Sequence, residues 1–141
     1  MSALTDYTEQ QFRDWISQGS STATPPDPLY VSLHTADPGE VPDGSTEVGA
    51  TNYSRQSVGS SNWTTLAPAD VSNDGHGFEN GTTVQFDTAS SSWGTITHVA
   101  IWDTSDTSGN ALATAALDSS RSVGDGDQAQ FGTGSLSFVI D

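Results

Sequence analysis

The chain has 141 residues, the length of one domain, and its 33% hydrophobic residues with four tryptophans can form one core. Its 18 Asp plus Glu, fourteen of them Asp, face only Arg13, Arg55 and Arg121, for a formal charge of −15, and there is no lysine or cysteine. This excludes a nucleic-acid surface, which needs clustered cations, as well as disulfides and thiolate metal sites. No apolar run approaches the ~18 residues needed to cross a bilayer and no basic–apolar leader opens the chain, so a soluble protein without a membrane partner is expected. A surface this acidic repels itself at ordinary salt, where the Debye length is about 8 Å, and is tolerable near 1 M, where it is about 3 Å. The composition predicts a halophilic source.

The first element is a short helix over residues 4–19. In "LTDYTEQQFRDWISQGSS", Phe12, Trp15 and Ile16 fall at i, i+3 and i+4, Asp6 and Glu9 have capping-box spacing, and Gly19 stands where a helix should stop. Its apolar stripe is expected to cover one end of a sheet, the alternative being a seat in a neighbouring subunit. The prolines of "TATPPDP" then end helical signal by removing donors and holding preceding residues extended.

Residues 28–141 read as β. In "LYVSLHT", Leu29, Val31 and Leu33 alternate with Tyr30, Ser32 and His34, so His34 points away from the leucine face. Similar alternation occurs in "TTVQFD", in "TITHVAIWD" around Ile96 and Ala100, and in "SLSFVID", while "YSRQSV" and "ALATAAL" are weaker strands. Between them lie "PDGSTEVG", "SNDGHGFENG", "DTSDTSGN" and "VGDGDQ", whose Gly, Asn, Asp and Ser favour turns. The expected fold is mainly β: a single domain over 1–141, an antiparallel β-sandwich or jelly-roll-like body with one short N-terminal helix.

Little in the sequence carries chemistry. No G-x-S-x-G is present, "GTGSLS" reads as a glycine bend, and His34, His76 and His98 share no ligand spacing such as H-E-x-x-H. In "PDPLYVSLHTADPG", His34 and Asp37 are better explained as strand end and tight turn than as catalysts. Asp103, Asp106, Asp125 and Asp127 are weak candidates for holding a structural cation, without EF-hand spacing, and no cofactor is expected. The N-x-[ST] triplets at Asn52, Asn62 and Asn80 are expected to be coincidences of a Ser- and Thr-rich chain. Trp63 and Trp93 lie in polar runs, "SSNWTTLAP" and "SSSWGT", and are candidate subunit contacts, the alternative being a tryptophan that lids the sandwich.

"PPDPLYVSLHTADPGE", "NYSRQSV", "WGTITHVAIWDTSDTSGNALATAAL" and "VGDGDQAQFGTGSLSFVID" together resemble small virion structural proteins of tailed viruses. In that group an "LHTADPG" opening, a "Y-x-R-Q" element, a "THV-x-I-x-D" strand and a closing "GD…F…G-x-L" segment occur in this order, and the likeness spans nearly all of the chain after the helix. The resemblance implies a head- or tail-associated β protein acting as an oligomer, without enzyme activity. Combined with the charge it points to a tailed virus of a haloarchaeon. The expected function is a non-enzymatic virion component, a capsid decoration or vertex turret assembling as a homo-oligomer with other virion proteins as partners. The alternatives are a tail or tail-tip component, or a module binding host-surface glycans. The expected location is the virion, assembled in the host cytoplasm.

Overall fold

The computed structural model describes residues 2–19, 24–67 and 76–140. In chain order it contains β1 (Ser2–Leu4), α1 (Asp6–Gln18), β2 (Leu29–His34), β3 (Gln56–Val58), a 3-10 turn (Ser60–Asn62), β4 (Trp63–Leu66), β5 (His76–Asn80), β6 (Val84–Thr88), β7 (Gly94–Trp102), β8 (Ala111–Val123), β9 (Gln128–Phe131) and β10 (Ser137–Ile140). All the strand pairings between them are antiparallel. One layer is a five-stranded sheet in the order β1-β8-β7-β2-β3, and the other consists of β10-β5-β4 and β6-β9. Val31, Leu33, Val99, Ile101 and Ala113 of the large sheet meet Phe86 of β6 and Phe138 of β10 in a shared core, so the protein is a mainly β sandwich with one helix near its N-terminus. The turn expected at 72–75 lies outside the described residues.

The period-2 pattern of β2 places Val31 and Leu33 in this core, yet Ser32 and His34 on the opposite face are also 0% exposed. Hydroxyl and guanidinium groups from residues 46 and 55 cover that second face, so the polar half of the alternation does not mean solvent. In β7 the alternation is interrupted. Ile96 pairs with Arg121 but His98 pairs with Ala116, so Thr97 stands opposite the four residues 117–120 of β8. Past this bulge Val99 and Ile101 join the core with Ile96, whereas Ala100 and Trp102 turn to the other face. Ile96 and Ala100 therefore lie on different faces.

Helix α1 is inside out. Thr5 is its N-cap and accepts from the Thr8 N–H, in place of an Asp6–Glu9 box, and Gly19 ends it at φ 61°. The Thr5 and Thr8 hydroxyls donate to the Leu112 carbonyl on β8 at 3.2 and 2.8 Å. The apolar stripe looks outward instead: Phe12, Trp15 and Ile16 are 58%, 60% and 65% exposed. The expectation that this stripe covers one end of its own sheet is overturned, because polar threonines hold the helix to the sandwich. The β region also extends beyond 28–141, since β1 joins the edge of the large sheet through Ser2–Leu4.

Candidate functional site

The motif residues meet in one buried network on the second face of the large sheet. Glu47, in a bridge opposite His34, accepts both arms of the Arg55 guanidinium, Nε at 2.8 Å and Nη2 at 2.6 Å. The Arg55 side chain is 2% exposed and that of Glu47 10%. The remaining Arg55 nitrogen donates to the carbonyls of Thr104 and Asp106, and the guanidinium carbon lies 3.7 Å from the Trp102 ring centroid. A bidentate pair that also has its spare protons and its flat face occupied is the arrangement a buried ion pair requires. Tyr53 donates to Glu47 at 3.1 Å while its oxygen accepts the Leu33 N–H at 2.8 Å, tying the network to β2. Burial and the neighbouring Glu47 carboxylate push the Tyr53 hydroxyl well above its ordinary range, so it stays a donor.

Beside it, Trp102 Nε1 donates to Ser32 Oγ at 2.8 Å, Ser32 Oγ lies 2.7 Å from His34 Nε2, and His34 Nδ1 lies 2.9 Å from Thr46 Oγ1. The contacts close with a neutral His34: Ser32 donates to Nε2 and Nδ1–H donates to Thr46. A Ser–His contact of this length resembles the first step of nucleophile activation. Here both residues are 0% exposed and the far ring nitrogen meets a hydroxyl rather than a carboxylate, so the pair is a structural brace.

Burial, reinforced by Arg55 and His98 and opposed by Glu47, pulls the His34 imidazole down to about 4. The unfolded chain takes up this proton from pH 6.5 downward and the folded one only near 4. Stability from His34 is therefore complete above about pH 6.5 and is lost between there and pH 4, amounting to about 3 kcal/mol. Denaturant midpoints at pH 7, 5.5 and 4 are expected to fall more steeply for the wild type than for His34→Gln. Parallel profiles would assign the loss to other groups. Asp27, Asp43 and Asp106 are each lowered by hydrogen bonds from Ser60, Ser45 and Ser108, and so titrate below this window.

The residues singled out from sequence do not converge. Asp103 accepts from the Asn110 N–H at 2.7 Å and from its side-chain amide at 3.0 Å, Asp106 accepts from Ser108, and Asp127 from the Gly124 N–H at 2.8 Å. These carboxylates brace turns, and among the described residues no three acids or histidines gather as a metal site would require. Asn80 is 0% exposed, with Nδ2 donating to the Thr82 and Gly132 carbonyls and Oδ1 accepting from Leu136. Trp63 is half-buried; its ring meets Phe78 edge-on at 5.3 Å and its Nε1 donates to Val58. Trp93 is 4% exposed in the core between Tyr53 and Phe86, so the expectation that it presents itself to another subunit is corrected. Its polar neighbours belong to an exposed turn, and Gly94, at φ 84°, redirects the chain so that the indole points inward.

One groove of about 380 Å³ opens between β8 and β9. Its floor is Ile96 and Val123 of the core, and its walls carry Leu117, Arg121, Gln130 and Phe131. The four-residue excursion 117–120 opposite Thr97 swings β8 away from its neighbour and leaves this side of the sandwich open. Nothing in the local sequence marks the excursion, which is why the groove was not foreseen.

With these features in place, residues 3–139 match the model of the family described as Podophage GP4 fiber I protein gp80. The chain belongs to that family. It is thus a phage virion structural protein, located in the particle and associated with other virion proteins. No curated protein matches the chain. The buried network gives the "LHTADPG" and "Y-x-R-Q" elements of this fibre family member a physical role: His34, Tyr53 and Arg55 fasten segments distant in sequence to the same sheet face.

Proposed function

We propose that this virion protein is a non-enzymatic fibre-type component on the outside of the particle, assembled with copies of itself through the exposed stripe of α1. The observation that carries the reading is the inverted helix: Phe12, Trp15 and Ile16 face outward, with the first two rings 5.9 Å apart, on a chain whose net charge is −15. An exposed aromatic patch on a carboxylate-rich body is the kind of surface that marks an interaction site, and symmetric oligomers cover such patches with their own copies. Trp63 rests on its own Phe78, so the self-contact falls on α1. The lysine-free, acidic surface suits a salt-rich setting and the virus of a halophilic host.

A head position, as capsid decoration or vertex turret, and a tail or tail-tip position both accommodate such a fibre. The test measures solution mass and particle location together. Purified wild type in high salt is expected to run as an oligomer and Trp15→Ser as a folded species of lower mass. Copy number from separated heads and tails, many copies against a handful, assigns the position. A monomeric wild type, or a chain absent from both fractions, would overturn the reading.

A further inference from the structure

The open side of the sandwich combines features that the fold itself does not use. Strand β8 is covered by β1 only along Ala113–Ala115, and no described strand lies on that side of residues 117–123. Among the described residues β9 pairs with β6 alone, and β6 does not line the groove, so the groove runs along the side of β9 on which no described strand pairs. Two backbone edges without a strand partner among the described residues thus border an apolar floor. Natural sandwiches rarely leave such edges bare, because each is a template for another strand.

The charges identify what fits. Arg13 pairs with Asp14 and Arg55 with Glu47, so among the described residues Arg121, exposed on the groove wall, is the cation with no ion pair. Asp127 also lines the groove, its Oδ2 held by the Gly124 N–H. It disfavours a second acid at its own end. We infer that the groove binds an extended segment of another virion protein by strand addition, with apolar residues at alternate positions over Ile96 and Phe131 and one carboxylate paired with Arg121. The four residues of β9 span about 13 Å, which suits a segment of about four to six residues. A second copy of this chain is a poorer donor, because its strands are held in its own sheets and could offer only an edge, not a free extended segment that enters the groove. The inference is separate from self-assembly through α1: a Trp15→Ser chain that loses self-association keeps the groove.

The test uses the full chain and two capped eight-residue peptides of alternating valine and threonine, one with a central Asp and one with Lys in its place. The Asp peptide is expected to shift backbone amides of 117–123 and 128–131 in NMR spectra and to bind about tenfold more tightly than the Lys peptide. Arg121→Glu, an exposed substitution that leaves the fold intact, is expected to reverse this order. Indifference to the charge swap, shifts elsewhere, or no binding of either peptide at millimolar concentration would overturn the inference. Concentration-dependent shifts of the same amides without peptide would replace the foreign segment with a second copy, and so also overturn it.

Discussion

Arg55→Ala is expected to cost about 3–5 kcal/mol, the range for removing one partner of a buried ion pair, and to lower the melting temperature by roughly 10–20 °C at constant salt. The cost has three sources. Glu47, nearly buried, loses both donors of its bidentate pair, the Thr104 and Asp106 carbonyls lose the guanidinium that bridges them, and Trp102 loses the cation on its face. The control is the double change Arg55→Met with Glu47→Leu, which removes the unpaired charge along with the pair. It is expected to recover much of the loss, since replacing a buried pair by apolar groups is often near neutral. Equal destabilisation of single and double variants would show that packing, and not the orphaned carboxylate, sets the cost.

Trp93→Ala is expected to cost about 3–5 kcal/mol as a core truncation, while Trp93→Phe is expected to cost far less. The contrast arises from a buried polar atom. Among the described residues the buried Trp93 Nε1–H has no hydrogen-bond partner, and a group left so carries a desolvation penalty of about 1–3 kcal/mol. Phenylalanine keeps the ring against Tyr53 and Phe86 and discards that penalty. Chemical denaturation of the three proteins separates the two contributions. A folded Trp93→Ala with only a lowered solution mass would restore Trp93 as a subunit contact and contradict its burial.

Hydrophobic alternation predicts much of the fold: β2, β6 and β10 lie where the pattern places them, and so does β7, although its bulge shifts the period between Ile96 and Val99. The strands that escaped are short or carry turn residues for packing reasons. In β5, "HGFEN" reads as part of a turn, yet Gly77 is required there because a Cβ would sit 2.5 Å from the Phe138 carbonyl oxygen of the neighbouring strand. β1 has three residues, too few for a period to register, and β9, "QAQF", offers only Ala129 and Phe131 as apolar positions beside an acidic turn. The site was less legible than the strands. Glu47, Arg55 and Trp102 have no local pattern in common, and β2 gathers their segments by bridging to Glu47 and pairing with β3 and β7. The sequence shows the helix stripe to be amphipathic, but not that it faces away from its own sheet. Periodicity tells which face is apolar, whereas the threonines that hold the opposite face down act through the distant Leu112 carbonyl.

The filled environment of Asn80 decides what that side chain can carry. Asn80-Gly81-Thr82 has the pattern of an acceptor triplet for N-linked sugar, which elsewhere sits on an exposed surface. A sugar on Nδ2 would take the amide that joins the end of β5 to the carbonyls of Thr82 and Gly132, and would have to occupy a position with no exposed surface. The native fold and modification of that side chain are mutually exclusive. A chain that carried a sugar at Asn80 could not close this sandwich around it.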